Sequence, residues 1–280
     1  HSMNVSKRVI LNRSRSGTPS EPAFVIRVKT DNAGTSASNQ FRLPLGAQTC
    51  DVTTSEQTLL AQTGTVVLSW AVAGSYDIYI TGLTTIETSS GGDPLKLIEV
   101  KNWGTSSWTS FVRAFNNCSN LTLISAPDKI ISTGGVSCFS IFRKTALTTF
   151  DFAMLNGMLI TFFSNSFDGI TTLLTVSNLN LVNGSSLTEI PTMFAGCTSL
   201  NSNVGGLDIS NVTVATTFMT GVTLSTANYD ATLIAFEAQS PNALNISFGG
   251  SQYTLGGAAE TARTNLISTY GWTIADGGGI

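Results

Sequence analysis

A repeat of about 25 to 27 residues dominates the chain and leaves few folds open to it. Between positions 108 and 224, five segments align on Phe115, Phe142, Phe167, Phe194 and Met219, with steps of 27, 25, 27 and 25 residues. Seven before each anchor stand Trp108, Gly135, Ile160, Leu187 and Val212; four before it, Phe111, Cys138, Phe163, Ile190 and Ala215. Three after it come Cys118, Thr145, Ile170, Cys197 and Val222, and five or six after it Leu121, Leu147, Leu173, Leu200 and Leu224. Offsets of −7, −4, 0 and +3 share one face of a helix, so the spacing predicts a short amphipathic helix in each unit. After the helix the period shortens, most clearly from Leu147 to Asn156, which predicts a strand. One such unit cannot bury its apolar stripe alone, whereas stacked units bury a continuous core.

The rest of the composition narrows the function classes. Of 280 residues, 42% are hydrophobic and 11% charged, with a net charge of −3. That balance lacks the basic footprint needed on a phosphate backbone, so nucleic acid is excluded as a partner. The single histidine is His1, in an opening His1-Ser2-Met3 that reads as an expression-tag remnant. Without it, histidine-based nucleophilic catalysis, proton shuttling and His-ligated metal sites drop out. Cys118, Cys138 and Cys197 fill apolar slots of the repeat and read as small core residues, with Cys50 outside it. No stretch is apolar enough to span a bilayer, and no export signal follows Met3. The expectation is a protein that is not an enzyme and carries no cofactor or metal.

Four regions follow. Residues 1–22 read as tag remnant and flexible N-terminal arm, 23–82 as a small β-sandwich, 83–224 as the repeats and 225–280 as a capping module. Strands are predicted at 23–29, 40–43, 65–72 and 76–80, with a turn at 73–75. Helices are predicted at 228–238 and 258–269, and strands at 244–248 and 271–275. The expected fold class is α+β: a short leucine-rich-repeat solenoid of about five helix-plus-strand coils, between an N-terminal β-sandwich and an α/β C-terminal cap.

Several segments resemble the BspA-like leucine-rich repeat surface proteins: Trp103-Gly104-Thr105 with Trp108, Met193 through Leu200, and Leu207 through Thr213. The ending adds Tyr229 through Ile234, Ala262 through Ile267 and Gly271 through Gly278, and the Lys29-Thr30-Asp31-Asn32 strand exit is similar to the N-terminal module of that family. The second and third repeats depart from the pattern by lacking the Gly-Cys pair. The head, Val9 through Ser20, is similar to the start of many phage structural proteins. Together the resemblances imply a binding protein on a virion surface: a tail fibre, receptor-binding protein or head decoration. The alternatives are a bacterial cell-surface adhesin and, third, a polysaccharide-degrading enzyme using Asp151, Asp168, Glu189 and Asp208. The implied partners are a host-cell surface glycan or protein and, through the N-terminal arm, other virion proteins; a fibre-like role favours a homo-oligomer.

By alternation along the predicted strands, Thr149 and Asp151, with Thr175 and Ser177 one unit later, form the candidate ligand surface. Hydroxyls and a carboxylate suit hydrogen bonding to a sugar or peptide. Trp103 and Trp272 read as core or cap residues rather than stacking platforms. Asp31-Asn32 and Asp276 lack the spaced oxygen ligands of a calcium loop.

Overall fold

The computed structural model describes residues 22–280. The N-terminal arm assigned to residues 1–22 therefore lies, apart from Pro22, outside the described residues. The fold is α+β. It begins with β1 (Phe24–Lys29), β2 (Gln40–Thr53), β3 (Thr58–Ser69), β4 (Ser75–Thr81) and β5 (Leu97–Asn102). The short β6 (Ser107–Trp108) and β7 (Leu123–Ile124) follow. The predicted sandwich does not form. A single six-stranded sheet takes its place, in the order β3-β2-β4-β1-β5-β7, antiparallel except for the parallel β5–β7 pair. Alternation in β1 buries Phe24, Ile26 and Val28 on the face that meets the rest of the molecule.

Beyond β7 the chain winds through β8 (Ile131–Ser132), β9 (Gly135–Ser137), β10 (Thr149–Asp151), β11 (Leu159–Phe162) and β12 (Thr175–Ser177). It then enters a C-terminal module of α1 (Thr226–Glu237), β13 (Asn245–Ser247), α2 (Ala258–Ser268) and β14 (Thr273–Ala275). These are the only two α-helices among the described residues, and both lie where periodicity predicted them. The Ser225 hydroxyl caps α1 by accepting from Asn228 N–H.

The expected five-coil leucine-rich-repeat solenoid is not what the chain forms. No α-helix occurs in 108–224, and its strands are two to four residues long, mostly in separate two-stranded pairs rather than one curved sheet. Each predicted helix is replaced by two consecutive four-residue turns. In the first unit Ala114 N–H donates to Phe111 C=O (3.1 Å) and Cys118 N–H to Phe115 C=O (3.1 Å). The third residue of each turn is left-handed, with φ of 54° at Arg113 and 61° at Asn117, as a type II turn requires. The same pair recurs as Ser140 and Lys144, Asn165 and Gly169, Thr192 and Gly196, and Thr217 and Gly221. Two such turns bury residues 111, 114, 115 and 118, which is the i, i+3, i+4, i+7 spacing of a helix. The pattern is therefore the same for either structure, while the hydrogen bonds differ.

Between units the anchor amides bond to the next turn. Phe115 N–H donates to Ile141 C=O (2.8 Å), Phe142 to Ser166 (2.9 Å), Phe167 to Met193 (2.9 Å), Phe194 to Phe218 (2.9 Å) and Met219 to Ser247 (2.9 Å). The rings of Phe115, Phe142, Phe167 and Phe194 follow one another at centroid separations of 5.4, 5.8 and 5.3 Å. They belong to one apolar cluster running from Phe24 to Trp272.

This architecture removes the basis of the BspA-like resemblance. With it goes the inferred function of a virion tail fibre, receptor-binding protein, head decoration or surface adhesin, because each relied on a curved leucine-rich-repeat display surface. Among the described residues no helix is long and apolar enough to cross a membrane.

Candidate functional site

The candidate ligand residues come together on one surface. Strands β10 and β12 pair in parallel with Thr149 opposite Thr175 and Asp151 opposite Ser177. All four are exposed, while Phe150 and Val176 between them point into the core. Asp151 Oδ1 accepts from Ala153 N–H (2.8 Å) and from the Asn178 side-chain amide (2.8 Å), so the carboxylate is fixed in place. Both bonds fall on Oδ1, and Oδ2 accepts no hydrogen bond among the described residues.

On the β7 side, the row continues into the six-stranded sheet through Leu123 and Glu99, which face each other across β5 and β7. Glu99 accepts from the Ser125 hydroxyl. Beyond it Asp77 receives Arg27 (2.7 Å) and Lys101 (2.7 Å). Burial works against ionisation of Asp77, but these two cations outweigh it and hold the carboxyl below its usual range. Asp77 is therefore charge-paired, whereas the Asp151 carboxylate of β10 has no ion-pair partner among the described residues.

Between β7 and β10 the surface opens into a cavity of about 100 Å³, lined by Thr122, Leu123, Ile124, Thr149, Phe150, Asp151 and their neighbours Thr148 and Met154. Sequence alternation identified Thr149 and Asp151 but missed the β7 wall.

The remaining acidic candidates do not share this site. Asp168 pairs with Arg143 (2.8 Å), Asp208 accepts from Ser210 N–H (3.0 Å), and the Glu189 backbone bridges to Phe162 and Val214. Asp31 is held by Lys29 (2.6 Å), and Asp276 by Arg263 (2.8 Å) and the Tyr229 hydroxyl (2.7 Å). Among the described residues no group of three His, Cys, Asp or Glu side chains is placed to hold a metal ion. Trp103 and Trp272 are buried. All four cysteines are unpaired and buried. Burial pushes the Cys50 thiol up to about 11 and those of Cys118 and Cys197 up to about 12.

No protein-family model, curated protein or solved structure matches the chain.

Proposed function

We propose that the protein is a non-catalytic glycan-binding module whose recognition strip runs over β7, β10 and β12. The observation that carries this reading is the register of β10 and β12, which puts three hydroxyls and one carboxylate side by side and exposed, with Thr149 and Asp151 lining a cavity. Sugars are recognised by such groups, because each hydroxyl donates and accepts and a carboxylate accepts from two sugar hydroxyls. The exposed Leu123 and Leu174 add apolar surface for the C–H face of a pyranose; they are 50% and 51% exposed. A non-catalytic role is supported by the dispersal of the acidic side chains, since glycoside hydrolysis needs two carboxyl groups flanking one bond.

Glycan and peptide arrays probed with the full chain test the proposal. Glycan binding is expected, reduced about tenfold or more in the Thr149→Ala/Asp151→Ala double variant, with the bound glycan recovered uncleaved. Absence of glycan binding, or binding indifferent to the double variant, contradicts it.

A further inference from the structure

We infer that the slot between β7 and β10 receives the acetamido group of an N-acetylhexosamine, an inference that rests on the glycan-binding reading above. The slot exists because one rung of the backbone pairing is missing. β7 pairs with β5, and β10 with β12, but among the described residues β7 and β10 do not pair with each other. The two layers are still joined at their narrow end, where Ala146 N–H donates to Leu121 C=O (3.0 Å). Beyond it they separate into the cavity of about 100 Å³ and rejoin where Ile130 N–H donates to Met154 C=O (2.9 Å).

Size and lining select the occupant. A cavity of about 150 Å³ accommodates a benzene ring, so this one admits a smaller group and leaves a sugar ring outside. Its apolar lining includes Ile124 and Met154, suited to a methyl group. Its polar lining is Asp151, whose Oδ2 accepts no hydrogen bond among the described residues, and Thr122, Thr148 and Thr149, whose hydroxyls likewise have no partner among them. A purely aliphatic side chain would bury those groups without partners and so is disfavoured. A carboxylate would be repelled by Asp151, and an ammonium or guanidinium would lose hydration against Ile124 and Met154. An acetamido group has the matching parts: a methyl for the floor, an N–H for Asp151 Oδ2 and a C=O for a threonine hydroxyl. The attached pyranose then lies over Leu123, with Thr175 and Ser177 in reach of the next sugar.

The test is titration of the full chain with tri-N-acetylchitotriose, its fully deacetylated counterpart and an Nε-acetyl-lysine peptide, with saturation-transfer NMR on the acetylated sugar. The acetylated sugar is expected to bind about tenfold or more tightly than the deacetylated one, with the strongest transfer at the acetyl methyl. Ile124→Phe, which fills the slot, is expected to abolish that binding; should it compromise folding, Thr149→Val, which removes the hydroxyl at nearly constant shape, is expected to weaken it. Equal binding of the deacetylated sugar, unchanged binding by both variants, or binding of the peptide alone overturns the inference. If a glycan without an acetamido group binds and Asp151→Ala abolishes it, this inference falls while the strip reading stands. If no glycan binds, both fall.

Discussion

The left-handed residues of the paired turns are the most exacting positions in the chain. An L side chain there costs roughly 1–2 kcal/mol, which glycine avoids. At Gly196, with φ of 69°, a Cβ would also stand 3.4 Å from the Gly169 Cα of the neighbouring layer. Gly196→Ala is therefore expected to destabilise by about 1–2 kcal/mol in urea titration, while exposed Thr198→Ala stays within about 0.5 kcal/mol. A second exacting residue is Asp93, fully buried beside fully buried Lys96. Its carboxylate accepts from Thr35 N–H (2.6 Å), the Ser36 hydroxyl (2.5 Å) and Arg42 N–H (2.7 Å), and Lys96 donates to the carbonyls of Ala37 (2.7 Å) and Gln40 (2.9 Å). Burial raises the Asp93 pKa, but these hydrogen bonds more than offset it, leaving the group below the usual carboxylate range. A depressed folded value means stability that is present above the unfolded value of about 3.9 and lost as pH falls through the folded one. Unfolding free energy measured between about pH 5 and pH 2 is expected to fall, and to fall less in Asp93→Asn.

At the scale of elements, the phenylalanine column ties the turns together. Phe167 contacts the rings of Phe142, Phe150, Phe152 and Phe194, so Phe167→Ala is expected to cost about 3–5 kcal/mol in equilibrium unfolding. In the C-terminal module, Tyr229 of α1 donates to Asp276, which Arg263 of α2 also grips. Tyr229→Phe is expected to cost about 1.5–3 kcal/mol, the usual range for a hydrogen bond to a charged group, read from the shift in urea midpoint. β1, β4, the start of β2, the end of β3 and both C-terminal helices were legible from alternation and periodicity; β5 and β7 were not, since β5 buries Leu97 and Val100 three apart rather than in alternation and β7 is two residues long. The turns were not, because two type II turns and one helix bury the same four positions. Gly169, Gly196 and Gly221 held the discriminating signal: glycine recurring in a helix interior costs about 1 kcal/mol each time, whereas at the third position of a type II turn it is the preferred residue. The sandwich was misread for a related reason, since alternation in β1 shows that one face is buried but not whether a second sheet or stacked turns bury it. Thr149, Asp151, Thr175 and Ser177 were found because β10 and β12 obey simple alternation; the slot arises from a pairing that does not occur, which no local pattern reports.

At the scale of the whole molecule, one apolar cluster spans the sheet, the turns and the C-terminal helices. A shared core couples its parts, so calorimetry is expected to show a single transition across residues 22–280; two separated transitions would mean that the sheet and the turns fold independently. The strip belongs to this scale as well, because it is assembled from layers about 25 residues apart and exists only when they stack in register. The most direct measurement of that stacking is NMR detection of couplings transmitted through backbone hydrogen bonds. Stacked turns are expected to link the amide nitrogens of Phe115, Phe142, Phe167 and Phe194 to the carbonyl carbons of Ile141, Ser166, Met193 and Phe218. Links instead to Phe111, Cys138, Phe163 and Ile190, four residues earlier in each case, would show helices and contradict the stacked turns.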